Sequence, residues 1–263
     1  MVHLSELVAA QFGLTEQEYV GVIMAGRVWI GETPADKPGM PVAEDTVLTL
    51  REKAKKYASR SGYKLEKALS VFAVDPQGLT VCDIGASNGG FTDCLLQNGA
   101  GHVFAVDVAY GILAWELRSD ERVTVLERTN ARNLTEEQLG AICDMVTMDV
   151  SFISLTKIFP AVNRILSHSG DCVCLIKPQF EAPQKMLGKN GILRDPSILP
   201  ELFRSIAASA AENGLYLRDM SVSPIHGTNG NVEYLAHFSR EQHLSEQEIW
   251  DLTETTANLQ PEN

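Results

Sequence analysis

From residue 79 onward, short apolar runs alternate with segments of helical periodicity: "LTVCDIG" then "GFTDCLLQNG", "HVFAVDV" then "ILAWELRSD", "VTVLER" then "TEEQLGAI", "DMVTMDV" then "LTKIFPAVNRILS", and finally "DCVCLIKP". Runs that stay apolar at consecutive positions mark strands buried on both faces. When amphipathic helices separate them, the expected arrangement is a parallel sheet covered on both sides. A long loop and the helix "LPELFRSIAASAAENG" then lead to "LYLRDMSVSPI" and "NVEYLAHF". The short turn containing "HGTNGN" between these two predicts an antiparallel hairpin at one edge. The fold class is therefore α/β, with a doubly covered, mostly parallel sheet.

The segment before this alternation reads differently. "LSELVAAQF" and "EQEYVGVIMAG" have helical spacing, with Thr15 and Glu18 set as a capping box, and "RVWIG" and "TVLTL" follow as short strands. Residues 1–50 are expected to form a small α+β domain, 51–62 a basic linker, 63–240 the larger domain, and 241–263 an acidic tail with one helix around "SEQEIWDLTE". No internal repeat is evident.

The net charge of -12 is unevenly placed. Residues 241–263 carry six acids and no base, whereas "REKAKKYASRSGYKLEK", residues 51–67, carries seven Lys or Arg and two Glu. A basic island in an acidic chain is a candidate contact for phosphate, and equally an ordinary solvated linker. Five cysteines, an odd number without CxxC spacing, sit mostly in strand-like runs; they are expected to be buried thiols, and no metal site is expected. Asp107 and Asp149 interrupt the longest apolar stretches, so no membrane span is predicted. The N-terminal stretch lacks a basic leader and carries Glu6, so the chain reads as cytoplasmic.

The ligand signal is "DIGASNGGF", residues 83–91, directly after the first strand-like run. In open α/β sheets ligands bind at the carboxyl ends of strands. Asp83 leads the turn; Gly85, Gly89 and Gly90 allow backbone to approach a ligand, Ser87 stands where a dinucleotide fingerprint has its middle glycine, and Phe91 opens the helix. A plain strand-to-helix turn is the competing reading. Asp107 ends the second strand, where an acid can accept from a ribose diol, or else cap a helix. Thr129 and Asn130 follow the third strand as candidates for an adenine edge. This pattern suits nicotinamide dinucleotides and S-adenosylmethionine alike, and the terminal antiparallel pair favours the second. That feature resembles the class I (Rossmann-like) methyltransferase sheet, whose strand order is 3-2-1-4-5-7-6.

Four charged residues fall at element ends on one rim: Lys64, Asp149, Lys177 and Glu233. Taken singly, each could be a surface or capping residue. With "SRSGYKLEKAL", "DIGASNGGFTDCLLQNGA", "DVSFISL", "LIKPQFE", "GKNGILRDP" and "NVEYL", they make the chain similar to the haemolysin A (TlyA) family as far as about residue 240. The catalytic domain of that family is similar to FtsJ-type ribose 2'-O-methyltransferases. The resemblance implies S-adenosylmethionine as cofactor and ribosomal RNA or ribosomal subunits as partner, with cytidine as target. It also implies a Lys-Asp-Lys-Glu tetrad, carried here by Lys64, Asp149, Lys177 and Glu233. In this assignment Lys177 is the base, Lys64 positions the hydroxyl, and the two acids orient the lysines; Asp149 also borders the cofactor.

A lysine acts as a base only when its ammonium is destabilised, which burial and a second ammonium favour. Amino-methylating relatives usually present a (Asp/Asn)-Pro-Pro-aromatic stretch where this chain has "DVSF", which argues against base amino methylation. By the same resemblance the N-terminal segment is an RNA-binding module of the ribosomal protein S-four type, yet its second helix carries no base. RNA contact is therefore expected from Arg51, Lys53, Lys55, Lys56 and Arg60 of the island, and from Lys189 and Arg194 in the late loop. The alternative is a non-catalytic RNA- or partner-binding protein, or a membrane-active one as the haemolysin label suggests, although no basic amphipathic helix supports the latter.

Overall fold

In the computed structural model, which describes residues 1–24, 26–31, 33–51, 56–227 and 230–261, the apolar runs after residue 79 form one seven-stranded sheet. The N-terminal segment contains β1 (Val2–His3), α1 (Leu4–Phe12), α2 (Glu16–Met24), β2 (Val28–Ile30), β3 (Thr33–Pro34), β4 (Pro41–Val42) and β5 (Leu48–Leu50). Its three-stranded sheet runs β3-β2-β5, β1 pairs with β4, and Leu4, Val8, Ile23 and Val28 form its own small core. At the start of α2 the Thr15 backbone N–H donates to Glu18 at 2.8 Å, as the capping-box spacing predicts.

The larger body follows. Its helices are α3 (Gly62–Phe72), α4 (Gly90–Gln97), α5 (Trp115–Arg118), α6 (Glu136–Leu139), α7 (Phe159–Ile165), α8 (Pro178–Glu181), α9 (Leu199–Ala211) and α10 (Glu246–Ala257). Its strands are β6 (Thr80–Ile84), β7 (His102–Val106), β8 (Val123–Leu126), β9 (Cys143–Met148), β10 (Leu166–Ile176), β11 (Tyr216–Val222) and β12 (Tyr234–Ser239). The order β8-β7-β6-β9-β10-β12-β11 is 3-2-1-4-5-7-6 when strands are counted within this body. The first five are parallel and β12 is antiparallel to both its neighbours.

The strands read as continuous apolar runs because successive residues enter two different cores. Ile84, Val106, Met148, Ile176 and Tyr234 pack with Phe159 and Phe203 on one face, while Val81, Val103, Met145, Leu175 and Leu235 pack with Leu65, Leu69 and Leu95 on the other. Burying each such side chain stabilises the fold by roughly 1.5–3 kcal/mol. All five cysteines are buried, free thiols within these layers. Among the described residues no helix is long and apolar enough to cross a membrane.

Two expectations are corrected. The connection between β11 and β12 is not a short turn: residues 223–233 separate the two strands, and Ser223 N–H pairs with Glu233 O at 2.9 Å. The stretch 241–263 is not simply a solvated tail either, because α10 packs on α9 and buries Thr253 and Thr256.

Candidate active site

The site grows from the strand ends that the topology brings side by side. Asp83, next to last in β6, is fully buried; it accepts from Thr92 Oγ1 at 2.6 Å and Thr147 Oγ1 at 2.9 Å. Burial pushes its carboxyl up to about 6, the two hydroxyls pull the other way, and Asp149 adds a like charge. Asp83 thus lies beneath the turn, joining β6, α4 and β9, and not in contact with the cleft.

Gly85 begins the turn at φ +85°, and a Cβ there would sit 2.6 Å from Asp149 O. Gly89, at φ +92°, would drive a Cβ to 2.1 Å from Leu117. Both positions therefore exclude side chains for geometric reasons. Ser87 takes a left-handed φ of 49°, and its N–H donates to Asp107 Oδ2 at 2.8 Å. Asp107 Oδ1 accepts from Ala109 N at 2.8 Å, so this carboxylate braces the glycine turn against the next loop and keeps lone pairs for a ligand. Gly90 and Phe91 start α4, with Phe91 buried.

Two clefts adjoin here. The first, about 290 Å³, is walled by Ile84, Val106, Ile112, Val150 and Ile153, with Ser87, Asp107, Thr129, Asn130, Asp149 and Ser151 as its polar members. Thr129 and Asn130 do reach this cleft, but both side chains are also used locally: Thr129 Oγ1 donates to Glu127 O at 3.0 Å, and Asn130 Oδ1 accepts from Arg132 N at 3.1 Å. The second, about 350 Å³, is lined by Ser59, Arg60, Ser61, Lys64, Phe91, Asp149 and Lys177 among others. Gly85, Ser87, Asp149 and Ser151 belong to both, forming a shared ridge.

The four rim charges assemble as two buried pairs. Lys64 Nζ donates to Glu233 Oε2 at 2.5 Å, with both side chains almost wholly enclosed. Lys177 Nζ lies 2.7 Å from Asp149 Oδ1 and donates to Ser151 Oγ at 2.9 Å. The first pair joins α3 to the residue before β12, and the second joins the residues that follow β9 and β10. Separating either pair by deleting one partner would leave an uncompensated buried charge, a cost of about 3–5 kcal/mol. Asp149 Oδ1, although close to the lysine, is buried without a properly aligned hydrogen bond. It is an acceptor facing the ridge.

Sequence reasoning missed three contributors. Ser151 accepts a hydrogen bond from Lys177. Glu181 accepts from Ser154 Oγ at 2.6 Å and Leu155 N at 2.9 Å, pinning the loop after β9 to the helix after Lys177, and burial raises its pKa. Phe152 is 91% exposed at the mouth of the first cleft, holds a left-handed φ of 65°, and lies against Phe180 with ring centroids 5.1 Å apart. The only local signals were the "DVSF" stretch for Ser151 and Phe152 and the "LIKPQFE" stretch for Glu181, since none follows a periodicity.

The described bases of the island face different partners. Arg60 is exposed and lines the second cleft. Arg51 instead stacks on Trp29 at 4.0 Å and donates to Gly31 O at 2.9 Å, and Lys56 is paired with Glu66. Lys53 and Lys55 lie outside the described residues. Lys189 and Arg194 are exposed on a loop closed by Gly188 N–H to Ile192 O at 2.6 Å and Arg194 N–H to Met186 O at 3.1 Å.

Comparison with known proteins agrees with this geometry. The FtsJ-like methyltransferase model matches residues 57–240. The chain is 43% identical to the 16S/23S rRNA (cytidine-2'-O)-methyltransferase TlyA of Mycobacterium tuberculosis, over 88% of this chain and 86% of that one. It is 38% identical to Hemolysin A of Brachyspira hyodysenteriae, over 82% and 90% respectively. A solved chain from Streptococcus thermophilus described as a candidate hemolysin superposes with a TM-score of 0.72 at 38% identity, covering 97% of this chain and 95% of that one. The matched span contains the glycine turn and all four rim charges, and on sequence and fold together this chain belongs to the FtsJ-like methyltransferase family.

Proposed function

We propose that this protein transfers the methyl group of S-adenosylmethionine to a ribose 2'-hydroxyl of ribosomal RNA, with cytidine as the target nucleoside. The observation that carries this reading is the convergence of two buried lysine–carboxylate pairs on one cleft beside the glycine turn. The activity for which the M. tuberculosis relative is named supplies the substrate class.

The first cleft suits the cofactor. Its apolar walls fit a nucleoside, Asp107 stands at one end for a ribose diol, and the absent side chain at Gly85 leaves the ridge open. Asp83, Ser87, Gly89, Gly90 and Phe91 shape the turn around that cleft, and Thr129 and Asn130 close it near the adenine. The bound cofactor would supply an electrophilic methyl at the ridge. What remains is done by this chain's own side chains.

A ribose hydroxyl is a weak nucleophile until its proton leaves. Lys177, at the ridge and held by Asp149 and Ser151, accepts that proton in its neutral form, and Lys64, fixed by Glu233, hydrogen-bonds the hydroxyl oxygen and sets the line of attack. Asp149, 2.7 Å away, pairs with the ammonium that this proton transfer creates. Positioning accounts for much of the acceleration. Phe152 offers an exposed ring for a base lifted out of its stack, and Arg60, Lys189 and Arg194 offer charge to phosphates. Among the described residues no group of His, Cys, Asp or Glu is placed to hold a metal ion.

The test is transfer of labelled methyl to each ribosomal subunit by wild type and Lys177→Ala. A label that resists alkaline cleavage at one ribose and falls by about 10³-fold or more in the variant is expected, with cofactor affinity retained. Absence of label from wild type on either subunit, despite measurable cofactor binding, sinks the proposal and favours a non-catalytic RNA- or partner-binding role.

A further inference from the structure

The family match ends at residue 240, yet α10 beyond it is firmly seated. Ser245 caps the helix through Glu248, accepting from Glu248 N at 3.3 Å while Ser245 N donates to Glu248 Oε2 at 2.8 Å. Arg204 of α9 lies 3.7 Å over the Trp250 ring, and its Nη1 reaches Glu254 at 3.1 Å and Thr253 Oγ1 at 3.3 Å. A cation enclosed between an aromatic face and a carboxylate fixes the helix axis as well as its depth.

The far end of this helix points at the reaction machinery. Ala257 and Gln260 close a cavity of about 240 Å³ whose other walls include Ile192, Leu193, Pro178 and Val232. Ile192 and Leu193 belong to the loop that displays Lys185, Lys189 and Arg194. Pro178 directly follows Lys177, and Val232 directly precedes Glu233. The same loop is tied to the β12 approach by Asn231 Nδ2 donating to Gly191 O at 3.4 Å. One apolar cavity thus separates the C-terminal helix, the basic loop and the two strand ends that carry tetrad members.

We propose that the C-terminal segment, α10 with Gln260, is a positioning element that holds the basic loop of residues 184–194 in place for the RNA backbone. The inference rests on the methyl-transfer reading for its RNA consequence, but the coupling itself is a property of the fold. The segment's own charge makes the prediction sharp. Glu246, Glu248, Asp251 and Glu254 give α10 acids and no base, so a purely electrostatic role would repel RNA, and its loss would tighten binding.

The experiment uses the full chain, Arg204→Met, which keeps the aliphatic stem but removes the clamp, and a chain ended after Leu244. Hydrogen exchange at Gly188 and Arg194, whose amides close the loop, should quicken about tenfold in Arg204→Met while amides of β6 stay protected. The KM for an rRNA fragment should rise roughly three- to tenfold, and more in the shortened chain, with a shallower salt dependence. Saturated kcat and cofactor affinity should stay within about twofold of wild type.

Unchanged exchange at the loop, a lower KM for RNA, or kcat and cofactor affinity falling together with KM would each overturn the proposal. If the shortened chain does not fold, Arg204→Met decides alone. If wild type transfers no methyl at all, the reading of the activity fails while the exchange arm still decides the coupling.

Discussion

The two clefts share a wall yet differ in how their residues were selected. The first is lined by apolar side chains from the β6 and β7 ends and the loop after β9, with polar groups at Ser87, Asp107, Thr129, Asn130, Asp149 and Ser151. The second is lined by side chains that start far apart in sequence, Lys64, Asp149 and Lys177, and Lys64 is held from behind by Glu233, 169 positions away. A cofactor cleft of the first kind tolerates interchange of apolar residues of similar volume. A cleft of the second kind does not, because each buried charge depends on its partner for the compensation that water would otherwise give. On the proposed reading, affinity for a nucleoside and competence for chemistry should be separable by mutation, although Gly85, Ser87, Asp149 and Ser151 line both clefts.

The largest break in that comparison is at Lys177. Lys177→Ala should lower methyl transfer by about 10³-fold or more while calorimetry finds cofactor affinity within about twofold of wild type. Parallel loss of both would mean that the clefts are not separable. Gly85→Ala should damage both at once, since the new methyl meets the Asp149 carbonyl; about tenfold weaker cofactor binding and a similar fall in kcat are expected, read by titration and by initial rates. A variant that bound cofactor normally would show the ridge to be more compliant than its geometry.

A third measurement probes the support beneath the turn. Asp83 is a carboxyl whose folded value, about 6, lies above its ordinary one of 3.8. The folded state therefore binds its proton more tightly than the unfolded chain. This contribution to stability is fully present below about pH 4 and is lost as pH rises through 6, a change of roughly 3 kcal/mol at most. Urea unfolding of wild type relative to Asp83→Asn should show that fall between about pH 4 and 6, and a flat difference would mean the burial is relieved by water. The smallest effect is at the cleft mouth. Phe152→Gly should relieve a left-handed backbone worth about 1 kcal/mol, raising stability slightly while raising the KM for RNA; a lower stability would show that the contact with Phe180 outweighs the strain.

Much of this molecule is legible from residue order. Apolar runs such as "HVFAVDV" are long enough and close enough to their helices that only a doubly covered sheet buries them. The pairing order, with β12 inserted between β10 and β11, matches what the terminal strand pair suggested. Asp107, Asp149 and Lys177 were readable as site candidates because each directly follows a strand, where side chains at the carboxyl end must face the ligand crevice. Glu233 was harder to place from local signals, since it precedes β12 and its strand is antiparallel. Its assignment came from the family motif.

Other features had no local signature. Charge density in "REKAKKYASRSGYKLEK" says nothing of which bases find partners, and Arg51 and Lys56 are held by Trp29 and Glu66 while Arg60 opens on the cleft. Asp83 reads as a ligand residue by position, but Thr92 and Thr147 enclose it. The acidic stretch after residue 240 reads as solvated, but Arg204 and Trp250 dock it.

The sequence by itself determined the layers and the glycine turn, because these depend on periodicity and on backbone geometry available within a few residues, while the strand order was implied by the resemblance to class I methyltransferases. Which charges are paired, which carboxyl is buried, and which loop the C-terminal helix supports were decided only by the tertiary structure. Those properties depend on what surrounds a group within a few ångströms, and burial strengthens every unscreened charge while penalising every unpaired one.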